Sequence, residues 1–403
     1  MDIYRKKIVP VLMYHSIGIG SHPWVWSYMS ERLDSFEELL RMLVEHKYRT
    51  IGLDELYAFM SGDEPLAQRS VVLTFDDGYL DNWVYIAPLL RKYGLKGVVY
   101  VSPEFVQESA EPRPTLEDVR EGRLPESELE TVGFMNWAEL RELDREGVLD
   151  VQSHAMTHTW YPASGEIVDF HRHMNCHRYP WLSWNARPDR KPYYLSEDQQ
   201  GFVPRGTPIF SHQKSMVVRR FFPDESLVKR ITAYVRDELE ASGEPLSTWQ
   251  ESVQKKFSAD LDDGKVPGRF ETTEQKDERI LAELRDARAI IESRLDKTVS
   301  YLAWPGGGVD EGAIKHARTA GYKSWTLSSW QEPEKRNMSS TDPEKIKRIS
   351  GSTIVHWQGS AIADGGANWV MNRIRVHQRS LSGRVAAGIR KITWLLQRRL
   401  QVK

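Results

Sequence analysis

The chain alternates short apolar runs with stretches in which apolar residues recur every three or four positions. Residues 9–14, 71–75, 97–101 and 149–152 have the length and β-rich composition of strands. Between them, residues 35–44, 82–93 and 136–146 carry the helical period, and Gly94 and Gly147 stand where the last two would end. Strands of this length separated by helices predict βα units around a parallel sheet. The pattern breaks at residues 107–131, a Pro-, Glu- and Arg-rich surface excursion, and again at residues 159–271. This second break holds Trp160, Tyr161, Trp181, Trp184, Tyr193 and Tyr194, scattered prolines and a helical piece at 226–239. Regularity then returns. Thr272 and Gln275 are spaced as a capping box, and the helix they open places Ile280, Leu281, Leu284, Ala287, Ile291 and Leu295 on one face. A strand at 299–303, a helix at 310–319 and a strand at 323–327 follow. The alternation outlasts the break, so one α/β domain spans 8–158 and 272–360, and 159–271 is an insertion expected to cap it.

Composition changes this picture little. Of 403 residues, 40% are hydrophobic and 28% charged, as in ordinary soluble domains. The single cysteine, Cys176, excludes an intramolecular disulfide. The first ten residues lack the apolar core of a signal peptide, and no run approaches the roughly 20 apolar residues of a membrane span. The expectation is a cytoplasmic protein. Charge adds one feature: from Arg373 onward there are nine Lys or Arg and no Asp or Glu, against a formal −2 overall. Within residues 368–403, Val385, Ile389, Ile392, Leu396 and Leu400 share a helical face, flanked by basic residues. Such a tail fits peripheral contact with the inner face of an anionic membrane, or a helix docked on the acidic body or on a second copy. No basic-aromatic groove pattern suggests nucleic acid.

Three segments carry candidate chemistry, each closing a predicted strand. In Thr74-Phe75-Asp76-Asp77-Gly78-Tyr79, two adjacent carboxylates resist joint ionisation unless a cation relieves them. One Asp can then bind metal while the other acts as a base. In Ser153-His154-Ala155-Met156-Thr157-His158, the two imidazoles are spaced to reach one ion. In Ala303-Trp304-Pro305-Gly306-Gly307-Gly308, the glycines allow close backbone approach and offer N–H groups to an oxyanion. Taken singly, these are a common turn, two surface histidines and a glycine-rich turn. At successive strand ends they converge on a hydrolytic metal site with open positions for water and substrate. His171, His173, His177 and Cys176 match no common zinc spacing and read as polar residues of the insertion.

These motifs, with the opening Val-Leu-Met-Tyr14-His15-Ser-Ile, resemble the polysaccharide deacetylases with a NodB-homology domain, the family-4 carbohydrate esterases, over a little more than half the chain. The resemblance implies a distorted (β/α)7 TIM-like barrel. It implies Asp76 as catalytic base and Asp77, His154 and His158 as ligands of a divalent metal, usually Zn2+, with Co2+, Ni2+ or Mn2+ as alternatives. Gly306, with Trp304, Pro305 and Tyr79, would bind the oxyanion and substrate. The implied reaction is attack of metal-activated water on an acetamide of an N-acetylated saccharide, in a bacterial surface polysaccharide or its lipid-linked precursor. Two positions depart from the pattern. Many members brace the catalytic Asp with an arginine where Ala303 stands here, and for the family's late-strand histidine, the general acid, His356 is the first candidate and His15 a second. His15 is expected to support the site from a second shell. Alternatives on the same fold are hydrolysis of a small amide or cyclic imide, or a catalytically inactive glycan-binding module.

Overall fold

The computed structural model describes residues 7–19, 29–66, 69–327, 336–357 and 360–378. The basic tail beyond residue 378 lies outside them. Eight parallel strands follow one another as Lys345–Lys347, Ser324–Leu327, Tyr301–Leu302, Leu149–Ser153, Gly97–Val101, Arg69–Phe75, Val11–Tyr14 and Ile349–Ser350. The first and last of these are separated only by Arg348. They are two halves of one stave, the first paired to Leu327 through Lys347 and the second to Leu12 through Ile349. The sheet thus curls into a nearly closed ring of seven staves, the barrel expected from the sequence, with its seventh stave interrupted at one residue.

Strand residues point alternately to opposite faces. Val11, Val72, Val98 and Tyr301 join an inner cluster, whereas Leu12, Leu73, Val99 and Leu302 pack outward on the helices. The helix Leu53–Ser61 contributes Leu56, Phe59 and Met60 to the inner cluster, closing the end of the barrel at which the strands begin. The outer helices match the periodicity closely. The expected helix at 136–146 is Trp137–Glu146, opened by an Asn136–Glu139 capping box and closed by Gly147 in the left-handed conformation. The helix after Thr272 runs Thr273–Leu295 with the expected capping box, and buries Ile280, Leu284, Ala287 and Ile291. Two local differences appear. Asn82–Ile86 forms a π-helical turn before the α-helix Ala87–Tyr93. The strand expected at 299–303 is ladder-bonded only over Tyr301–Leu302.

Residues 159–271 leave the barrel as a long antiparallel hairpin, Trp160–Phe170 with Pro208–Lys214. The segment has its own apolar cluster, in which Ile167, Phe170 and Phe210 of the hairpin meet Leu227, Ile231, Trp249 and Val253. Trp184 ties it to the barrel by packing with Tyr79, Phe105 and Phe134. Among the described residues, no helix is long and apolar enough to cross a membrane.

Candidate active site

The two-residue period that fills the barrel with Val11, Val72 and Ile346 continues to the far ends of the same staves. There it turns His15, Asp76 and Arg348 inward, because each lies an even number of residues further along. All three line a cavity of about 320 Å³ with His154, Trp160, Lys214 and Trp304. Asp76 is 3% exposed, and its N–H donates to Tyr14 O at 2.9 Å. Its carboxylate accepts two parallel bonds from the Arg348 guanidinium, 2.6 Å to Oδ1 and 2.8 Å to Oδ2. This is the brace the sequence left unassigned. It arrives from the broken seventh stave rather than from position 303. Burial works to raise the Asp76 carboxyl, but Arg348, with His154 and His15, more than offsets it, and the group lies below the usual carboxylate range.

Asp77, the next residue, adopts φ 74° and turns its carboxylate toward the strand end of Leu149–Ser153. The Nε2 atoms of His154 and His158 each lie 3.2 Å from Asp77 Oδ1. The ligand atoms of all three residues fall within 4.8 Å of one another. Asp77 Oδ1 is buried and accepts no well-directed hydrogen bond, so three ligand atoms converge on a point that the protein itself does not satisfy. His154 Nδ1 lies 2.8 Å from Ala303 O, which fixes its ring and leaves Nε2 for an ion. Ala303 therefore supports the site through its backbone instead of through a side chain. His158 has φ 42° and Ala155 has φ 57°, conformations that side-chain-bearing residues hold only when the surroundings compel them. Here Thr157, between them, is clamped. Its hydroxyl donates to Glu283 Oε1 at 2.7 Å, and its carbonyl accepts from Lys191 Nζ at 2.8 Å. Donor set, burial and second shell all suit a divalent cation such as zinc.

At the third motif Gly306 has φ 55°. Gly307 and Gly308 N–H turn back to the carbonyls of Trp304 and Pro305, and Gly306, Gly307 and Trp304 face the cavity. Pro305 is buried and does not line the cavity. Tyr79 is set back from the cavity, 1% exposed and stacked on Phe134 with ring centroids 5.4 Å apart. His15, expected in a supporting position, instead faces the cavity, with Nε2 3.9 Å from Asp76 Oδ2. Burial pushes its imidazole below the ordinary value, against the pull of Asp77 and Asp76. His356 lies in the strand Ile354–Trp357, and its side chain falls outside the described residues. Two further residues, Arg348 and Lys214, have no motif around them; their positions come from strand register alone.

Residues 63–187 match the polysaccharide deacetylase family. YxkH of Bacillus subtilis, named for the same family, is 32% identical over 93 residues, which are 23% of this chain and 31% of that protein. The poly-beta-1,6-N-acetyl-D-glucosamine N-deacetylase of Escherichia coli K12 is 27% identical over 133 residues, 33% of this chain and 18% of that one. The chain thus matches less than a third of the length of either relative. The solved structure of a de-N-acetylase from Aggregatibacter actinomycetemcomitans has the same fold, with a TM-score of 0.50 at 14% identity, over 85% of this chain and 94% of that one.

Proposed function

We propose that the protein is a metal-dependent de-N-acetylase acting on N-acetylated amino sugars of a bacterial surface polysaccharide or its precursor. The observation that carries this reading is the placement of Asp77, His154 and His158 around one point, beside an ionised Asp76 held by Arg348. Asp77, His154 and His158 would hold the cation, with zinc the first candidate. When bound, it supplies positive charge that polarises the acetamide carbonyl and acidifies water. Asp76 then takes the proton of the attacking water on its carboxylate, which Arg348 keeps charged and fixed in direction. Gly306 N–H would donate to the oxygen that becomes negative. His15 lines the cavity beside the two metal-ligand imidazoles, and in its protonated form it would hand a proton to the departing amine nitrogen. The hairpin Trp160–Phe170 with Pro208–Lys214 borders one side of the reacting groups through Trp160 and Lys214.

The test is acetate release from N-acetylated oligosaccharides by protein loaded with zinc, cobalt, nickel or manganese. Activity should appear with at least one metal, and should be lost in Asp77→Ala together with the bound ion. No release with any of these metals would refute the reading. Activity persisting in His15→Ala at the wild-type rate would remove His15 from the proton donor role.

A further inference from the structure

The hairpin does more than cover the barrel mouth. Trp160 and Lys214 are directly opposed across its two strands, at the end where it leaves the barrel, and both line the cavity. Their side chains converge on the third motif. A Cβ built on Gly306 would lie 3.3 Å from Lys214 Cε and 3.7 Å from Trp160 Cζ2, and one on Gly308 would lie 2.9 Å from the Lys214 chain. These glycines therefore leave the room that the lysine occupies. Trp160 also stands edge-on to the ligand His158, with centroids 5.6 Å apart, so the pair borders the reacting centre.

Charge bookkeeping singles out Lys214. The charged residues lining the cavity are Asp76, Asp77, Lys214 and Arg348. Arg348 and Asp76 neutralise each other, and Asp77 is turned to its metal point. Lys214 Nζ donates to Gly306 O. No carboxylate lies within ion-pair distance of it among the described residues, and burial alone lowers its pKa. An ammonium has three donors, and one carbonyl engages only one of them. A cation at the mouth of this cavity, opposite Trp160 across the hairpin, without a carboxylate partner, is a site waiting for an anion.

We propose that Trp160 and Lys214 form a subsite for an anionic substituent, carboxylate or phosphate, on the sugar bound next to the acetamido group. The indole supports the ring and the ammonium pairs with the anion. The substrate class is then an acidic N-acetylated glycan rather than a neutral one. This rests on the deacetylase reading for its location, but its test does not need turnover.

The experiment compares three probes on metal-loaded protein: a tetrasaccharide alternating glucuronate with N-acetylglucosamine, N-acetylglucosamine 1-phosphate, and the neutral tetramer of N-acetylglucosamine. Binding is read by tryptophan fluorescence, since Trp160 and Trp304 line the cavity, and acetate release is read in parallel. We expect at least one anionic probe to bind tenfold or more tightly than the neutral tetramer at low salt, with the advantage shrinking as salt rises. Which anionic probe prevails identifies the group as carboxylate or phosphate. Lys214→Met should erase the advantage through KM or Kd, whereas Lys214→Arg should retain most of it. Equal binding of charged and neutral probes by the wild type overturns the proposal. So does a Lys214→Met variant whose losses fall equally on all probes and in kcat, which would make the lysine a mere tether of the Gly306 loop. If no probe releases acetate while the anionic preference is found, the deacetylase reading fails and the subsite stands.

Discussion

Arg348 and Asp76 meet through two hydrogen bonds in a buried setting, where removing one partner strands the other. Arg348→Met should therefore destabilise the protein by about 3–5 kcal/mol in denaturant unfolding. The double variant Asp76→Asn/Arg348→Met should recover a large part of that loss, since no charge is then left buried. Equal stability of the single and double variants would mean that the carboxylate is not what makes the single variant unstable. A second buried carboxyl behaves oppositely. Burial pushes Asp81 up to about 7, only partly offset by its bonds to Ser16 and Asn82. In the free chain it ionises near 3.8. Between these values the folded state binds the extra proton, so this group withdraws stability as pH rises from about 4 to about 7 and adds no further loss above. Asp81→Asn, which cannot ionise, should gain in melting temperature relative to the wild type from pH 5 to pH 8. A difference that stays constant over that range would contradict the assignment.

At the scale of elements, the barrel's logic is that strand ends hold the chemistry and the segments between them hold the strand ends. Thr-Phe-Asp-Asp-Gly and Ser-His-x3-His were readable in the sequence because each is local: its ligands lie within five residues and close an apolar run. The helices were readable because caps such as Asn136–Glu139 and Thr272–Gln275 lie within one turn. Arg348 was not, because it lies 272 residues from Asp76 and sits in Ile346-Lys-Arg-Ile349, where nothing local distinguishes a brace from a surface cation. His15 was legible as a residue but not in its direction, which depends on the parity of a strand whose neighbours come from both ends of the chain. The ligand loop 154–158 shows the same division of labour. Glu283 reaches it from the helix Thr273–Leu295 and Lys191 from the insertion, where Lys191 also pairs with Glu104. Lys191→Met should loosen His158 and weaken metal binding about 10- to 100-fold, as loss of outer-shell support does elsewhere. Competition with a chromophoric chelator measures it, and an unchanged affinity would show that the loop holds itself.

For the whole molecule, the metal and the fold are linked. Asp77 and His158 sit at strained positive φ around an unsatisfied point, so an ion that binds only the folded state should stabilise it. At a free concentration 100 times its dissociation constant, the gain is about 2.7 kcal/mol. Chelator-treated protein should melt at lower temperature, and the wild type should recover on adding zinc while Asp77→Ala should not. The same melting temperature with and without metal would argue that the ligands do not bind an ion in solution.

The broken seventh stave also orders events during synthesis. Asp76 emerges early and Arg348 272 residues later, next to the stave that closes the ring against Val11–Tyr14. Until the ribosome has released that last stave, the Asp76 carboxylate has no guanidinium to meet, and the strand Val11–Tyr14 has an open edge. The pocket around Asp76 is therefore assembled at the final step of barrel closure, and a chain truncated before residue 348 leaves Asp76 without a brace and its barrel unsealed.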